Sequence, residues 1–143
     1  MEGMVERTVT DSQAHFRSRL TSDPAEIAAI RKAVEAFASA HGHGEPAVAE
    51  IGLVLNEAIA NIIRHAYDGR EDQPIEVDVK ADPRGMQIEL RDWGNGVVPF
   101  IKAEKTDPFV PGGLGLPCMK KMMTSLEFVR QPDGMLLKMY RAK

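Results

Sequence analysis

The chain has 143 residues, 43% hydrophobic and 27% charged, with a net charge of −3 and an isoelectric point near 5.8. That length suits one domain with one core, and the composition is that of a globular protein. The acidic balance argues against a nucleic-acid binder working through a basic surface, and the single cysteine, Cys118, excludes an intrachain disulfide and a zinc site built from several thiolates.

Residues 1–13 are polar and read as a flexible N-terminus, with one domain expected over 14–143. Residues 1–20 hold no apolar run of the kind a signal peptide needs. No stretch is expected to span a membrane, which takes about 20 apolar residues, and a reducing, cytoplasmic setting is the default. Phe16, Ser18 and Leu20 alternate with Arg17 and Arg19, a strand over 14–20. Ser22-Asp23-Pro24-Ala25-Glu26 has the composition of a helix start: a capping side chain, a proline in the first turn, then an acid. Ile27, Ile30, Val34 and Phe37 follow at helical spacing. The helix should stop near Gly42 and Gly44, leaving His41 and His43 as exposed loop residues.

A second helix is expected from about Glu45-Pro46 to Tyr67, closed by an Asp68-Gly69 turn. Ile75, Val77 and Val79 then alternate with charged residues, as do Met86, Ile88 and Leu90. Asp82-Pro83-Arg84-Gly85 between them is a turn of hairpin length. Residues 97–112, with three prolines, read as a long loop. A short helix from Leu116 and two closing strands, about 126–129 and 135–140, complete the order βααββαββ. Strands joined by tight turns imply a mostly antiparallel sheet with helices packed on one face, an α+β sandwich of two layers.

Three motifs carry chemistry. Glu57, Asn61 and His65 recur at intervals of four, which places a carboxylate, a carboxamide and an imidazole along one stripe of an otherwise apolar helix. Each would cost roughly 1–3 kcal/mol if buried without a partner. A ligand or metal ion would satisfy them, and so would water on an amphipathic surface. Asp92-Trp93-Gly94-Asn95-Gly96 follows a strand, and by parity Asp92 shares the core face of Met86, Ile88 and Leu90. An inward aspartate at a strand end calls for a donor. The exocyclic amino group of adenine is one, and Gly94 and Gly96 let backbone approach a flat ring. Gly113-Leu114-Gly115-Leu116 precedes a helix, where exposed N–H groups can face an anion.

In this order and within about 60 residues, these motifs resemble those of the GHKL ATPases, and in particular of the small anti-sigma factor serine kinases of the RsbW type. Residues 57–67 look like the N box, 92–96 like the first glycine box and 113–116 like the second. The resemblance implies a Bergerat ATP-binding fold, ATP or ADP with Mg²⁺ as cofactors, and a set of roles. Asn61 would hold Mg²⁺ and Glu57 would be the general base. Asp92 would read adenine, with Gly94 and Gly96 beside the base. Gly113 and Gly115 would be the lid glycines that close over the phosphates, with Leu114 and Leu116 also among the nucleotide-binding residues, and residues 97–112 would form the lid that orders when nucleotide binds. Lys102, Lys105 and Arg64 are candidates to neutralise phosphate charge, although a solvated surface suits them too.

The implied activity is transfer of the γ-phosphoryl of Mg-ATP to a serine of a STAS-type antagonist, coupled to sequestration of a sigma factor. A homodimer is implied, with no direct nucleic-acid contact and no membrane. The alternative is a nucleotide-dependent binding module that transfers nothing.

Overall fold

A computed structural model describes residues 13–96 and 115–143, together with the backbone of 5–9. Strands β1 (Val5–Val9) and β2 (Ala14–Thr21) come first, then helices α1 (Ile27–Ala40) and α2 (Glu45–Asn61). Strands β3 (Pro74–Asp82) and β4 (Gly85–Asp92), helix α3 (Leu116–Met122), and strands β5 (Ser125–Arg130) and β6 (Met135–Ala142) follow. The described strands form one sheet in the order β1-β2-β3-β4-β6-β5, and every neighbouring pair is antiparallel. Helices cover one face, giving the α+β sandwich expected. The loop 97–112 lies outside the described residues, as do Lys102, Lys105, Gly113 and Leu114.

Alternation explains the layer arrangement. Phe16 and Leu20 of β2, Ile75, Val77 and Val79 of β3, and Met86, Ile88 and Leu90 of β4 are all buried on the helix side. Ile30 and Val34 of α1, and Ile51, Val54, Leu55 and Ile59 of α2, meet them. The opposite sheet face is ionic: Arg17 grips Asp78 through Nε at 3.2 Å and Nη2 at 3.1 Å, and His15 Nε2 lies 2.6 Å from the same carboxylate.

Local signals in the sequence are realised where they were expected. Asp23 accepts from the backbone N–H of Ala25 at 2.9 Å and starts a short 3-10 turn, Pro24–Glu26, ahead of α1. Asp82 Oδ1 accepts from Arg84 N at 2.8 Å and Gly85 N at 3.2 Å, tightening the β3–β4 hairpin.

Three findings differ from the sequence reading. Residues 5–9 form an edge strand pairing Val5 with Ser18 through Val9 with Ala14, so the order gains a leading strand. His43 is buried, not exposed, because the chain folds back at Gly42 (φ +91°) and its N–H returns to Ala38 O at 3.1 Å. Finally, Glu45–Ala66 is long and apolar enough to cross a membrane by length and composition. More than half of its most apolar stretch is buried inside this domain, in the core shared with α1 and the sheet, as befits a core helix.

Candidate functional site

The last turns of α2 carry the polar stripe into the core. Glu57 and Asn61 are 7% and 4% exposed, on a helix whose neighbouring side chains Ala58 and Ile59 are apolar. They satisfy each other: Asn61 Nδ2 donates to Glu57 Oε2 at 2.8 Å and to the Glu57 backbone carbonyl at 2.8 Å. Arg64, half-exposed, completes a triangle. Its Nη2 donates to Glu57 Oε2 at 3.1 Å and to Asn61 Oδ1 at 3.0 Å. The carboxylate oxygen and the amide oxygen therefore already face a cation.

Beyond Asn61 the helix widens into one π-type turn, Ile62–Ala66, closed by a bond from Tyr67 N to Ile62 O at 3.0 Å. Single π turns recur at functional sites. Equal spacing in sequence no longer means a common face here, and His65 is exposed instead of extending the stripe.

Asp92 ends β4 between Ile75 of β3 and Met135 of β6, and is 3% exposed, on the inward face that parity required. Burial pushes its carboxyl above the usual aspartate range, opposed by the Gly94 N–H, the Arg91 charge and the Met135 N–H. The Gly94 N–H donates to Asp92 Oδ1 at 2.9 Å. Gly94 is glycine because a Cβ there would stand 2.4 Å from the Ala66 carbonyl oxygen. Gly96 has φ +77°, a region glycine favours. Gly134 of the β5–β6 turn backs onto Asp92, where a Cβ would lie 2.1 Å from its carbonyl oxygen.

The Asp92 loop is fastened to the end of the Glu57–Asn61 helix. Asn95 N donates to Ala66 O at 3.0 Å, Asn95 Nδ2 to His65 O at 2.7 Å, and Trp93 N to Tyr67 Oη at 2.8 Å. The Trp93 indole lies under the Arg91 guanidinium, 4.4 Å from the ring centroid. On the other flank α3 packs against α2. Gly115 caps α3, its carbonyl accepting from Cys118 N and Met119 N at 3.1 Å each, with Leu116 and Pro117 in the first turn.

The structure thus joins the N-box-like helix to the Asp92 loop by direct bonds, and packs α3 against that helix. Tyr67 and Asn95 had no role in the sequence reading. Both sit inside quoted motifs, and a tyrosine closing an apolar helix or an asparagine between two glycines is the available signal. A separate hollow of about 430 Å³ between the end of α1 and the start of α2 is lined by Glu35, His43 and Glu45 among others, and by none of the site residues above.

A buried carboxylate held by an amide and a guanidinium can accept a proton from an incoming hydroxyl, and the amide oxygen beside it is a hard ligand of the kind magnesium takes. Among the described residues no group of three acidic, histidine or cysteine side chains could cage a metal alone.

The family described as histidine kinase-like ATPase domain matches residues 20–141. The serine-protein kinase RsbW of Bacillus pumilus is 25% identical over 121 residues, covering 76% of this chain and 74% of that protein. RsbW of Listeria monocytogenes is 25% identical over 118 residues, covering 76% and 75%. An anti-sigma F factor of Halalkalibacterium halodurans is 28% identical over 88 residues, covering 58% and 60%. The chain belongs to the histidine kinase-like ATPase family of the GHKL superfamily, alongside the RsbW-type proteins.

Proposed function

We propose that this protein is an ATP-dependent protein-serine kinase and anti-sigma regulator. It would move the γ-phosphoryl group of Mg-ATP to a serine hydroxyl on a STAS-type antagonist and would sequester a sigma factor, with the ATP or ADP state deciding which partner is held. Cytoplasmic residence and a homodimer belong to the same proposal.

The observation that carries it is the buried Glu57–Asn61 pair, bridged by Arg64 within 3.1 Å of both partners. In this reading Glu57 accepts the proton of the attacking serine, and Asn61 Oδ1 is the protein's ligand to Mg²⁺. When bound, the ion neutralises charge on the phosphates. Arg64 holds the two side chains in place and supplies a positive charge beside them. Asp92 accepts a hydrogen bond from the adenine amino group, with Gly94 and Gly96 shaping the backbone next to the base. Gly115 and Leu116, at the start of α3, would contribute to phosphate binding together with Gly113 and Leu114 of the same sequence motif. Buried in this way, Glu57 suits proton acceptance better than mere tethering, since a nucleotide that only ordered a loop would need no carboxylate there.

The Arg64–Glu57 bond also favours a second reading, a binding module whose glutamate is locked by its arginine and transfers nothing. Incubation with labelled ATP, Mg²⁺ and a STAS-domain protein separates the two. Glu57→Gln should cut transfer by about 10²–10⁴-fold, the range for a lost general base, with nucleotide Kd within about twofold. A wild-type protein that binds nucleotide and labels no serine selects the binding module. Unchanged transfer in the variant removes Glu57 as the base.

A further inference from the structure

Tyr67 ends the helix that carries Glu57 and Asn61, and its buried hydroxyl takes part in none of the roles above. Among the described residues it is the largest fully buried side chain, at 0% exposure. Its hydroxyl donates to Pro74 O at 2.6 Å and accepts from Trp93 N at 2.8 Å. A phenol has one proton to give, so with Pro74 taking it the oxygen can only accept from Trp93. Pro74 opens β3 and Trp93 directly follows Asp92 of β4, strands already paired at Ile75 and Asp92. One oxygen atom therefore ties the helix end to both strands at the level of the inward acid.

The tie reaches the carboxylate in two bonds. The Trp93 N–H is held by Tyr67, and the next N–H, of Gly94, is 2.9 Å from Asp92 Oδ1. On its far side the segment is pinned by Asn95, to Ala66 O at 3.0 Å and His65 O at 2.7 Å. Burial raises the phenol above its usual range, which keeps it protonated and able to donate at neutral pH.

We infer that Tyr67 is a positioning residue for base recognition. Its hydroxyl holds residues 92–95 in the one arrangement that presents the Asp92 carboxylate to an exocyclic amino group, and so sets the preference for adenine. The inference rests on the adenine reading of Asp92 proposed above.

Tyr67→Phe keeps the ring and removes only the oxygen. The probes are Mg-ATP, Mg-ITP, whose base bears a carbonyl oxygen where adenine bears an amino group, and inorganic tripolyphosphate, which has no base. Wild-type protein should prefer ATP to ITP by about tenfold or more, the worth of one charge-assisted hydrogen bond. In Tyr67→Phe the preference should shrink to about twofold, with affinity for ITP and tripolyphosphate unchanged. A general loosening of the fold would weaken all three ligands together, so the ratio isolates positioning from packing. A preserved wild-type ratio, or a parallel loss of all three, overturns the inference. If Tyr67→Phe fails to fold, Asn95→Ala removes the side-chain tie to His65 O at the exposed end of the same segment and is read by the same ratio, a preserved ratio again counting against positioning of residues 92–95. A wild-type protein that binds ATP and ITP alike overturns the adenine reading itself, which separates that failure from failure of the Tyr67 role.

Discussion

Asp92→Asn is expected to remove most of the affinity for Mg-ADP while leaving the melting temperature of the nucleotide-free protein at or above that of the wild type. The side chain keeps its shape, and its oxygen can still accept from the Gly94 N–H, 2.9 Å away in the wild type. What disappears is the negative charge and the second acceptor. The carboxylate lies among backbone donors at Gly94 and Met135, and an adenine amino group would be a third. A carboxamide has a single acceptor oxygen and must turn its NH₂ toward one of those donors. Loss of a hydrogen bond to a charged group is worth about 2 kcal/mol, roughly thirtyfold in Kd.

Stability moves the other way because burial, the largest influence on Asp92, disfavours its ionised form. The folded pKa lies above the unfolded one. The stabilising contribution of protonated Asp92 is therefore present at low pH and is lost as pH rises through the raised folded value. Above the raised folded value the ionised acid is disfavoured by its buried site, and replacing it with a neutral isostere removes that penalty. Nucleotide affinity has the opposite dependence. It needs the ionised acceptor and should weaken as pH falls through the same raised value, a dependence that Asp92→Asn should lose. Calorimetric titrations across pH, with thermal melts of both proteins, check each part. An unchanged Kd would remove Asp92 from the site.

The second large effect is steric. In Gly94→Ala the new Cβ would stand 2.4 Å from the Ala66 carbonyl oxygen and 2.7 Å from its carbon, and both are backbone atoms that cannot step aside. Either the helix end or the Asp92 loop must move. The bonds from Asn95 to Ala66 and His65 and from Trp93 to Tyr67 cross that same junction. The expected cost is about 2–4 kcal/mol, in the range of overpacked sites, or a melting temperature lower by roughly 10 °C. Nucleotide binding should fall with it. Gly69→Ala is the matched control: φ is +81° there, yet nothing lies within 4 Å of the added carbon. It should cost about 1 kcal/mol from backbone strain alone. If Gly94→Ala melts no lower than Gly69→Ala, the loop is not seated against Ala66 as described.

Much of this site was legible in the chain, for physical reasons that differ from residue to residue. Asp92 could be placed because a strand alternates strictly, so parity with Met86, Ile88 and Leu90 sends it inward. Glu57 and Asn61 could be paired because four residues are about one helical turn. His65 obeyed the same arithmetic and still ended exposed, because the π-type turn after Asn61 has no composition that announces it. Val5–Val9 was read as part of a flexible N-terminus because a five-residue edge strand owes its order to the ladder with β2, a non-local partner. His43 was misplaced because its burial depends on the left-handed return at Gly42, while a glycine between two histidines looks like any open loop. Arg64 was read from its place beside the N box as a candidate phosphate partner. Its bonds to Glu57 and Asn61 follow from the i+7 and i+3 faces of one helix, spacings visible in the sequence and left unused.

In the proposed function the Glu57–Asn61 helix and the Asp92 strand end, latched at Ala66 and Tyr67, bind the two ends of one adenine nucleotide. A crystal structure with Mg²⁺ and a non-hydrolysable ATP analogue tests it most directly. The expected result has the adenine amino group within hydrogen-bonding distance of the Asp92 carboxylate, the metal on Asn61 Oδ1, and the Arg64 guanidinium moved off that oxygen. A nucleotide seated elsewhere, with Asp92 and Asn61 still bonded as they are here, would contradict it.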